Sequence, residues 1–151
     1  MMSYEIIQID KNQMEIIKPL WEELNKIHLQ ESPYFKNHYE SFTFSKRTEK
    51  FYTVPKENIR IEIIKRDSCI CGYCISTIID EIGELDSIFI SEKERGNGLG
   101  EILVKNTITW MKKRKCKKIQ VSISYGHESV FSFYQKLGFY PKLTYLQIKY
   151  L

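Results

Sequence analysis

Residues 85–100 read LDSIFISEKERGNGLG, and this stretch decides how the rest of the chain is interpreted. The β-branched and aromatic pattern ahead of the loop predicts a strand over residues 84–90. Glycines follow at alternate positions, and a helix is predicted from about Gly98 to Arg114. Free N–H groups and the dipole at the start of a helix attract phosphate, and glycines let a ligand approach the backbone closely. The stretch therefore predicts a site for a phosphate-bearing ligand, to which Arg95 could add a bidentate contact.

Two common phosphate-binding motifs do not match this loop. A P-loop ends in Gly-Lys-Ser/Thr, whereas Gly100 is followed by Glu101 and Ile102. A dinucleotide fingerprint has the spacing GxGxxG and an acidic residue about 20 positions later. Here the spacing is GxGxG, and residues 116–120 contain no acid. A tight turn that binds nothing is the plainer alternative, but three alternating glycines exceed what one turn needs.

Outward from the loop, the chain reads as one domain over residues 1–151. The strand patterns are followed by strand–helix–strand units, which indicates a mixed α/β sheet. Ser45 is the expected N-cap of a helix that runs to about residue 53, and Gly138 is the expected C′ residue of the helix over 129–137. Pro19 complicates the helix predicted over 14–29. Strands are predicted at 4–9, 59–65, 69–79, 84–90 and 118–124, with one or two more in 139–151; helices are predicted at 14–29, 45–53, 98–114 and 129–137.

Composition excludes several classes of protein. Of 151 residues, 42% are hydrophobic and 28% are charged, as is ordinary for a soluble globular domain. Only 7 Gly and 4 Pro are present, with no long apolar run, which argues against collagen, disorder and membrane spans. No signal-peptide pattern is seen at the start, so the four cysteines are expected to be reduced thiols in the cytoplasm. The net charge of +4 arises in the second half of the chain and suits an anionic ligand.

A second motif, FYQKLGF at residues 133–139, lies on the last predicted helix and the strand expected after it. Together with Arg95-x-x-Gly98-x-Gly100, it resembles the GNAT N-acetyltransferase superfamily, whose signatures are Q/R-x-x-G-x-G/A and FYxKLGF. The motif-bearing resemblance covers residues 59–143. It implies an α/β (α+β) fold: a single-domain, mixed, splayed sheet of about six or seven strands with helices on both faces.

The resemblance also implies a co-substrate, acetyl-CoA. Its pyrophosphate would lie on the loop, and its pantetheine arm along the preceding strand, which splays away from the fifth strand. An amine would attack the thioester directly, without a covalent enzyme intermediate. The residues implied in cofactor binding are Ile88, Phe89, Ile90, Arg95, Gly96, Asn97, Gly98, Leu99 and Gly100.

The chemical requirement is a neutral amine, because only the neutral form has a free lone pair. Deprotonating an alkylamine of pKa near 10.4 at pH 7 takes about 4–5 kcal/mol. The resemblance places a base at Glu84, with Asp86 on the same strand face as runner-up. The alternative for both carboxylates is a solvated position or an ion pair.

Two positions of the second motif bear on the leaving thiolate and on the cofactor. Tyr134 falls on the tyrosine that protonates the leaving thiolate in the family; a packing role for its ring is the alternative. His127 stands where the family often has Asn, so it could contact pantetheine or be a plain loop histidine.

Weaker signals have plainer interpretations. The basic run 112–118 is expected to be a solvated helix end rather than a nucleic-acid site. Cys69, Cys71 and Cys74 lack a nearby fourth ligand, which favours buried thiols over zinc, with Cys74 facing away from the other two. His28, His38 and the aromatics of residues 34–44 could line an acceptor pocket or serve as core.

The sequence thus predicts an acetyl-CoA-dependent N-acetyltransferase acting on an amine of a small molecule or a protein. It predicts no metal, nucleic-acid or membrane partner, and a homodimer is open because a terminal strand can pair across two copies. The alternatives are a non-catalytic acyl-CoA-binding module and, less favoured, a basic nucleic-acid-binding protein.

Overall fold

The computed structural model describes residues 3–151. The described residues form five strands and five α-helices, joined in places by short 3-10 turns. The strands are β1 Tyr4–Ile9, β2 Ile59–Arg66, β3 Cys69–Ile79, β4 Ile82–Ile90 and β5 Lys118–Val121. The helices are α1 Lys18–Glu31, α2 Lys36–Ser41, α3 Phe44–Thr53, α4 Leu99–Lys113 and α5 Phe131–Lys136.

The sheet has the order β1-β2-β3-β4-β5. The first four strands pair antiparallel, and β4 pairs parallel with β5 through the crossover helix α4. The prediction of a mixed sheet is confirmed. No helix among residues 3–151 combines the length and the apolar character needed to cross a membrane.

The predicted strand count of six or seven is wrong, because residues 139–151 form no strand. Their apolar side chains are exposed, with Leu143 at 87% and Leu146 at 91% of their full accessible surface. An alternating segment becomes a strand only when a neighbour pairs with it and its apolar face is buried. Strand β5 also ends at Val121, three residues before the predicted end.

Helix starts follow their caps rather than the first apolar residue. Thr43, not Ser45, is the N-cap of α3, and its side chain accepts a hydrogen bond from the Lys46 amide. Pro19 lies in the first turn of α1, where the missing N–H is harmless. It therefore starts a helix instead of interrupting one, because a 3-10 turn, Lys11–Ile17, precedes it.

Helices cover both faces of the sheet, as predicted. On one face, α1 and α3 pack against the sheet; this α1/α3-side core includes Trp21, Phe44, Phe51, Tyr73 and Phe89. On the other face, α4 and α5 enclose the α4-side core, which includes Leu85, Leu99, Leu103, Val104 and Tyr134.

Two β-bulges change which side chains reach each face. The register between β3 and β4 skips Asp86, and the register between β2 and β3 skips Cys71. Leu85 and Phe89 are four residues apart, yet they lie in opposite cores, since a bulge reverses the alternation. Cys71 likewise joins Cys74 in the α4-side core, so the prediction that these two thiols face opposite ways is wrong.

Candidate active site

A slot opens beside β4 where it loses its parallel neighbour. The pairing of β4 with β5 runs only from Ile82–Lys118 to Leu85–Val121, while β4 continues to Ile90. The predicted splay between these strands is therefore present. The Ser91 amide donates to the Cys71 carbonyl on β3, so Ile88 and Ile90 direct their main-chain groups away from β3, towards the slot.

The glycine-rich loop continues directly from this strand. Gly96 and Gly98 have φ of +83° and +74°, a left-handed conformation that glycine adopts without strain. Gly98 is the N-cap of α4 and offers no side chain to the first-turn amides, which the described residues leave without a side-chain cap. The first-turn amides of α4 are thus not occupied by a side-chain cap, and phosphate binding there stays a prediction.

Arg95 is exposed and anchored beside the slot. Its Nε donates to the Ile90 carbonyl at 2.9 Å, and its guanidinium lies 5.2 Å from the centre of the Phe89 ring. The Ile90 carbonyl therefore already accepts one hydrogen bond before any ligand binds. A carbonyl has two lone pairs, so a second donor can still be accommodated.

A buried carboxylate beneath the loop was missed by the sequence analysis. Glu94, 5% exposed, accepts hydrogen bonds from the Tyr4 hydroxyl at 2.6 Å and from Arg66 Nη1 at 2.9 Å. These bonds lower the pKa of Glu94. Asn97 donates to the Glu94 carbonyl, which fixes the turn before Gly98. No local sequence pattern indicates this contact, because Tyr4 and Arg66 lie on β1 and β2, far from Glu94 in the chain.

Glu84 and Asp86 share one face of β4, as predicted, and both lie at Lys50 of α3. Lys50 Nζ is 2.5 Å from Asp86 Oδ1 and 3.5 Å from Glu84 Oε2. Thr77 donates to Asp86 Oδ2, and Gln120 donates to Glu84 Oε1. The side chain of Asp86 is 0% exposed, whereas that of Glu84 is 27% exposed. The ion-pair alternative thus describes the observed contacts of both carboxylates.

The two carboxylates differ in acidity. Burial opposes the ionisation of Glu84, but one hydrogen bond from Gln120, the contact with Asp86 and the charge of Lys50 outweigh it, so the pKa of Glu84 lies below its usual value. Burial raises the pKa of Asp86, and its contact with Glu84 acts in the same direction, against Lys50 and Thr77. At neutral pH, Glu84 is therefore the more firmly ionised of the two.

Tyr134 lies in the α4-side core on α5, with its ring edge-on to Phe133 and Phe139. Burial raises its pKa, so the phenol carries its proton at neutral pH. The two sequence motifs meet here, since a Cβ placed on Gly100 would lie 3.4 Å from Cζ of Phe133. The helix that carries Tyr134 thereby packs against the first turn of α4, which follows the glycine-rich loop.

His127 contacts α1. Its Nδ1 lies 2.6 Å from Oε1 of Glu31, at the end of that helix, and its ring is edge-on to His28. Burial lowers the pKa of His28 to about 4, so that ring is neutral at pH 7. Sequence reasoning missed Glu31 as a partner, since nothing in the sequence places residues 31 and 127 side by side.

The remaining predictions are resolved by burial. Lys112 and Lys113 lie exposed in the last turn of α4, at the opposite end from the glycine loop. Cys71 and Cys74 are buried, but Cys69 is exposed, so the buried-thiol interpretation holds for two of the three. The aromatics of residues 34–44 divide between the buried core and positions that are partly or fully exposed. Phe44 is core, while Tyr39, Phe42 and Trp21 help to line a groove of about 620 Å³ between α1 and the segment that leads into α3.

A mixed sheet opened beside β4, leading into an uncapped glycine-rich helix start, matches the fold that the resemblance to the GNAT superfamily implies. The acetyltransferase (GNAT) family model matches residues 21–139, and the chain belongs to this family. It is an acetyltransferase with acetyl-CoA as its co-substrate. The resemblance stated from the two motifs is thereby confirmed.

Among curated proteins, the chain is 25% identical over 103 residues to a Bacillus subtilis protein named "Putative ribosomal protein bS18-alanine N-acetyltransferase". The match covers 67% of this chain and 68% of that protein. It is also 28% identical over 75 residues to an uncharacterized N-acetyltransferase of Methanocaldococcus jannaschii, covering 50% of this chain and 33% of the relative.

Solved structures show the same fold. PaiA N-acetyltransferase from Thermoplasma acidophilum, in complex with coenzyme A, is 23% identical with a TM-score of 0.76, covering 95% of this chain and 93% of that one. An acetyl transferase structure from Pyrococcus furiosus is 20% identical with a TM-score of 0.72, covering 97% and 99%.

Proposed function

We propose that acetyl-CoA binds with its diphosphate on the amides of residues 95–100 and its pantetheine arm beside β4. The observation that carries this proposal is the slot, where Ile88 and Ile90 direct main-chain groups away from β3 next to the open helix start. The arm would take the place of a neighbouring strand along this edge. Arg95, held at the Ile90 carbonyl, is placed to reach a phosphate with its terminal nitrogens.

In the proposed reaction, the amine nitrogen forms a bond to the carbonyl carbon of the thioester. The carbon–sulfur bond then breaks, its electron pair goes to sulfur, and the amine loses one proton. Glu84 is the proposed base, acting directly or through water, because its side chain is partly exposed. Its Oε2 lies 3.5 Å from Lys50 Nζ, a longer contact than the one that Lys50 makes with Asp86. Asp86, buried with both oxygens engaged, is the proposed anchor for Lys50.

Tyr134 is the proposed donor to the departing thiolate. Burial raises the pKa of Tyr134 further above that of an ordinary thiol, which is near 8.5, so the transfer of its proton to sulfur is uphill even when the thiolate is fully formed, and the thiolate takes its proton from solvent. Tyr134 therefore acts as a hydrogen-bond donor. Its hydrogen bond strengthens as the carbon–sulfur bond breaks.

The proposed acceptor is a primary amine. The Bacillus relative bears the name of an enzyme that acts on an alanine of a ribosomal protein, which supports a protein N-terminus as one class. Structures of aminoglycoside N-acetyltransferase AAC(6')-Iy, 16% identical with a TM-score of 0.66, support only a shared fold. Small amines and peptide N-termini are therefore separate arms of one test.

The test is calorimetry with acetyl-CoA on the full chain, followed by an assay of released CoA. The amine panel contains an Ala-initiated peptide, the same peptide with a blocked N-terminus, a polyamine and an aminoglycoside. Saturable binding followed by acceptor-dependent CoA release supports the proposal. Binding without release on any amine would favour the non-catalytic module, and no binding at millimolar acetyl-CoA would refute the cofactor site.

Two broader assignments belong to this proposal. A cytoplasmic location is supported by four cysteines without a disulfide, of which two are buried on β3.

A homodimer is supported by the exposed apolar side chains of residues 139–151, which a second copy could cover by strand pairing at an open sheet edge.

A further inference from the structure

Three potential metal ligands converge where α1 ends against the loop before α5. They are His28, Glu31 and His127, each contributing one ligand atom, and all three atoms lie within 4.8 Å of one another. His28 and Glu31 are three residues apart on α1, so they share one face of that helix. His127 approaches from the other half of the chain, immediately before the 3-10 turn that leads into α5.

The spacing of these atoms suits a small divalent ion. Nitrogen and oxygen ligands of tetrahedral zinc lie about 2.0–2.1 Å from the metal, and hence about 3.3 Å from one another. Glu31 Oε1 and His127 Nδ1 are 2.6 Å apart, and all three ligand atoms lie within 4.8 Å of one another. These separations bracket the spacing of about 3.3 Å that a tetrahedral zinc site requires.

His28 carries an unsatisfied polar atom. Its Nδ1 is buried and has no hydrogen-bond partner among residues 3–151. A neutral imidazole offers an unprotonated nitrogen, which is the form that binds metals. Glu31, whose carboxylate belongs to the same cluster, supplies negative charge that balances part of a divalent cation.

We propose that His28, Glu31 and His127 bind a divalent transition-metal ion, with zinc as the best-fitting candidate. This departs from the sequence prediction of no metal, which considered only cysteines. Two histidines and one carboxylate provide three ligands, leaving a fourth position for water. The ion would link α1 to the loop before α5, and the site does not depend on acetyl transfer.

The test uses the full chain after chelator treatment, titrated with zinc chloride by calorimetry and followed by thermal melting. Wild-type protein should bind one zinc ion and melt at a higher temperature, and a chelator should reverse the shift. His28→Gln, Glu31→Gln and His127→Gln should each weaken binding by about tenfold or more. The matched control is His38→Gln, which removes the only other histidine of the chain from an exposed position and should leave the affinity unchanged.

Two further measurements guard against misfolded variants and thiol binding. Histidine-ring NMR of wild-type protein requires no substitution, and zinc should shift two of the three rings while sparing His38. Cobalt in place of zinc should give visible bands without a thiolate charge-transfer band, since Cys69 is exposed and could bind metal by itself. The proposal would be overturned if zinc did not bind saturably. It would also be overturned if the ring signals of His28 and His127 did not shift, or if cobalt gave a thiolate charge-transfer band.

Discussion

At the level of single residues, Lys50 organises the acidic side of the slot. It reaches Asp86 and Glu84 from α3, while Arg47, one turn earlier, donates to the Asp86 carbonyl. A lysine between two carboxylates favours their ionised forms and lowers their strength as bases. Burial of Asp86 acts in the opposite sense, so two neighbouring carboxylates acquire different proton affinities.

Replacing Glu84 by Gln should lower kcat by about a hundredfold or more if Glu84 is the base. Because the pKa of Glu84 is lowered, the base stays ionised as pH falls, and the acid limb of the wild-type kcat/KM profile should lie below pH 4.5, the ordinary glutamate value. Steady-state kinetics measure both effects: kcat is compared at neutral pH, and kcat/KM is followed from neutral pH to well below pH 4.5.

Asp86→Asn is the comparison variant for Glu84→Gln. Removing one member of a buried ion pair should lower the free energy of unfolding by about 1–3 kcal/mol, with a smaller effect on kcat. Denaturant unfolding and kinetics on both variants decide between the two carboxylates. A larger loss of turnover in Asp86→Asn than in Glu84→Gln would transfer the base role to Asp86.

Tyr134→Phe should reduce kcat and leave the affinity for CoA nearly unchanged, because it removes one hydroxyl and keeps the packed ring. The expected loss is about a hundredfold to a thousandfold, the range for removing a single hydrogen-bond donor to developing charge. Turnover kinetics together with CoA calorimetry separate the two quantities. Phe133→Leu, which alters the neighbouring ring only, is the control, and an unchanged kcat in Tyr134→Phe would remove the donor role.

At the level of elements, the start of α4 combines conformation and function in one residue. Gly98→Ala places a Cβ at φ +74°, where nothing lies within 4 Å of it, so the strain comes from the backbone alone. We expect a loss of about 1 kcal/mol in unfolding free energy and weaker CoA binding. Denaturant unfolding and calorimetry measure the two effects.

Gly138→Ala is matched to Gly98→Ala. Gly138 has φ +96° and is equally free of neighbours within 4 Å, but it follows α5 instead of preceding α4. It should lose similar stability while keeping its CoA affinity. Equal CoA affinities in the two variants would argue against diphosphate binding at the start of α4.

The Tyr4–Glu94–Arg66 contact joins β1, β2 and the turn before the glycine loop. Because the pKa of Glu94 is lowered by folding, its stabilising effect is complete above the unfolded value of 4.5 and is lost as pH falls through the lower folded value. The difference in melting temperature between wild type and Glu94→Gln should therefore be largest at neutral pH and shrink below pH 4.5. A difference that grows on acidification would contradict this assignment.

At the level of the whole molecule, local sequence predicts elements better than it predicts their partners. The strands 4–9, 59–65 and 69–79 and the helix after the glycine loop carry their own periodicity, and the structure has them within one or two residues. The bulges at Asp86 and Cys71 depend on neighbouring strands, so alternation alone assigns Cys71 to the wrong face. Residues 139–151 show the same limit, because their pattern specifies an apolar face without specifying what covers it.

The site shows a similar division. The loop residues, Glu84, Asp86 and Tyr134 are named by motif, whereas Lys50, Gln120, Glu94 and Glu31 are distant in sequence from the groups that they contact. Contacts across the sheet have no local signature. The sequence therefore indicates the candidate reacting groups. It does not indicate the surrounding side chains that set their acidity.

The exposed segment 139–151 predicts self-association. Light scattering should give a mass of about twice the 18.0 kDa chain at micromolar concentration. Ile148→Lys, which charges an exposed apolar position, should return the protein to a single chain, whereas Gln147→Lys, beside it, should not. A single-chain mass for wild type at every concentration would contradict dimerisation.

The unpaired edge of β4 also allows ligand binding in the slot to be detected by hydrogen exchange. Amide protons at Ile88 and Ile90, which lack a strand partner on that side, should take up deuterium from heavy water quickly in the empty enzyme. An arm lying along that edge would slow this uptake at those amides while leaving the Ser91 amide, already bonded across β3, unchanged. The exchange rate of each amide, measured residue by residue, would show where along the strand the ligand is bound.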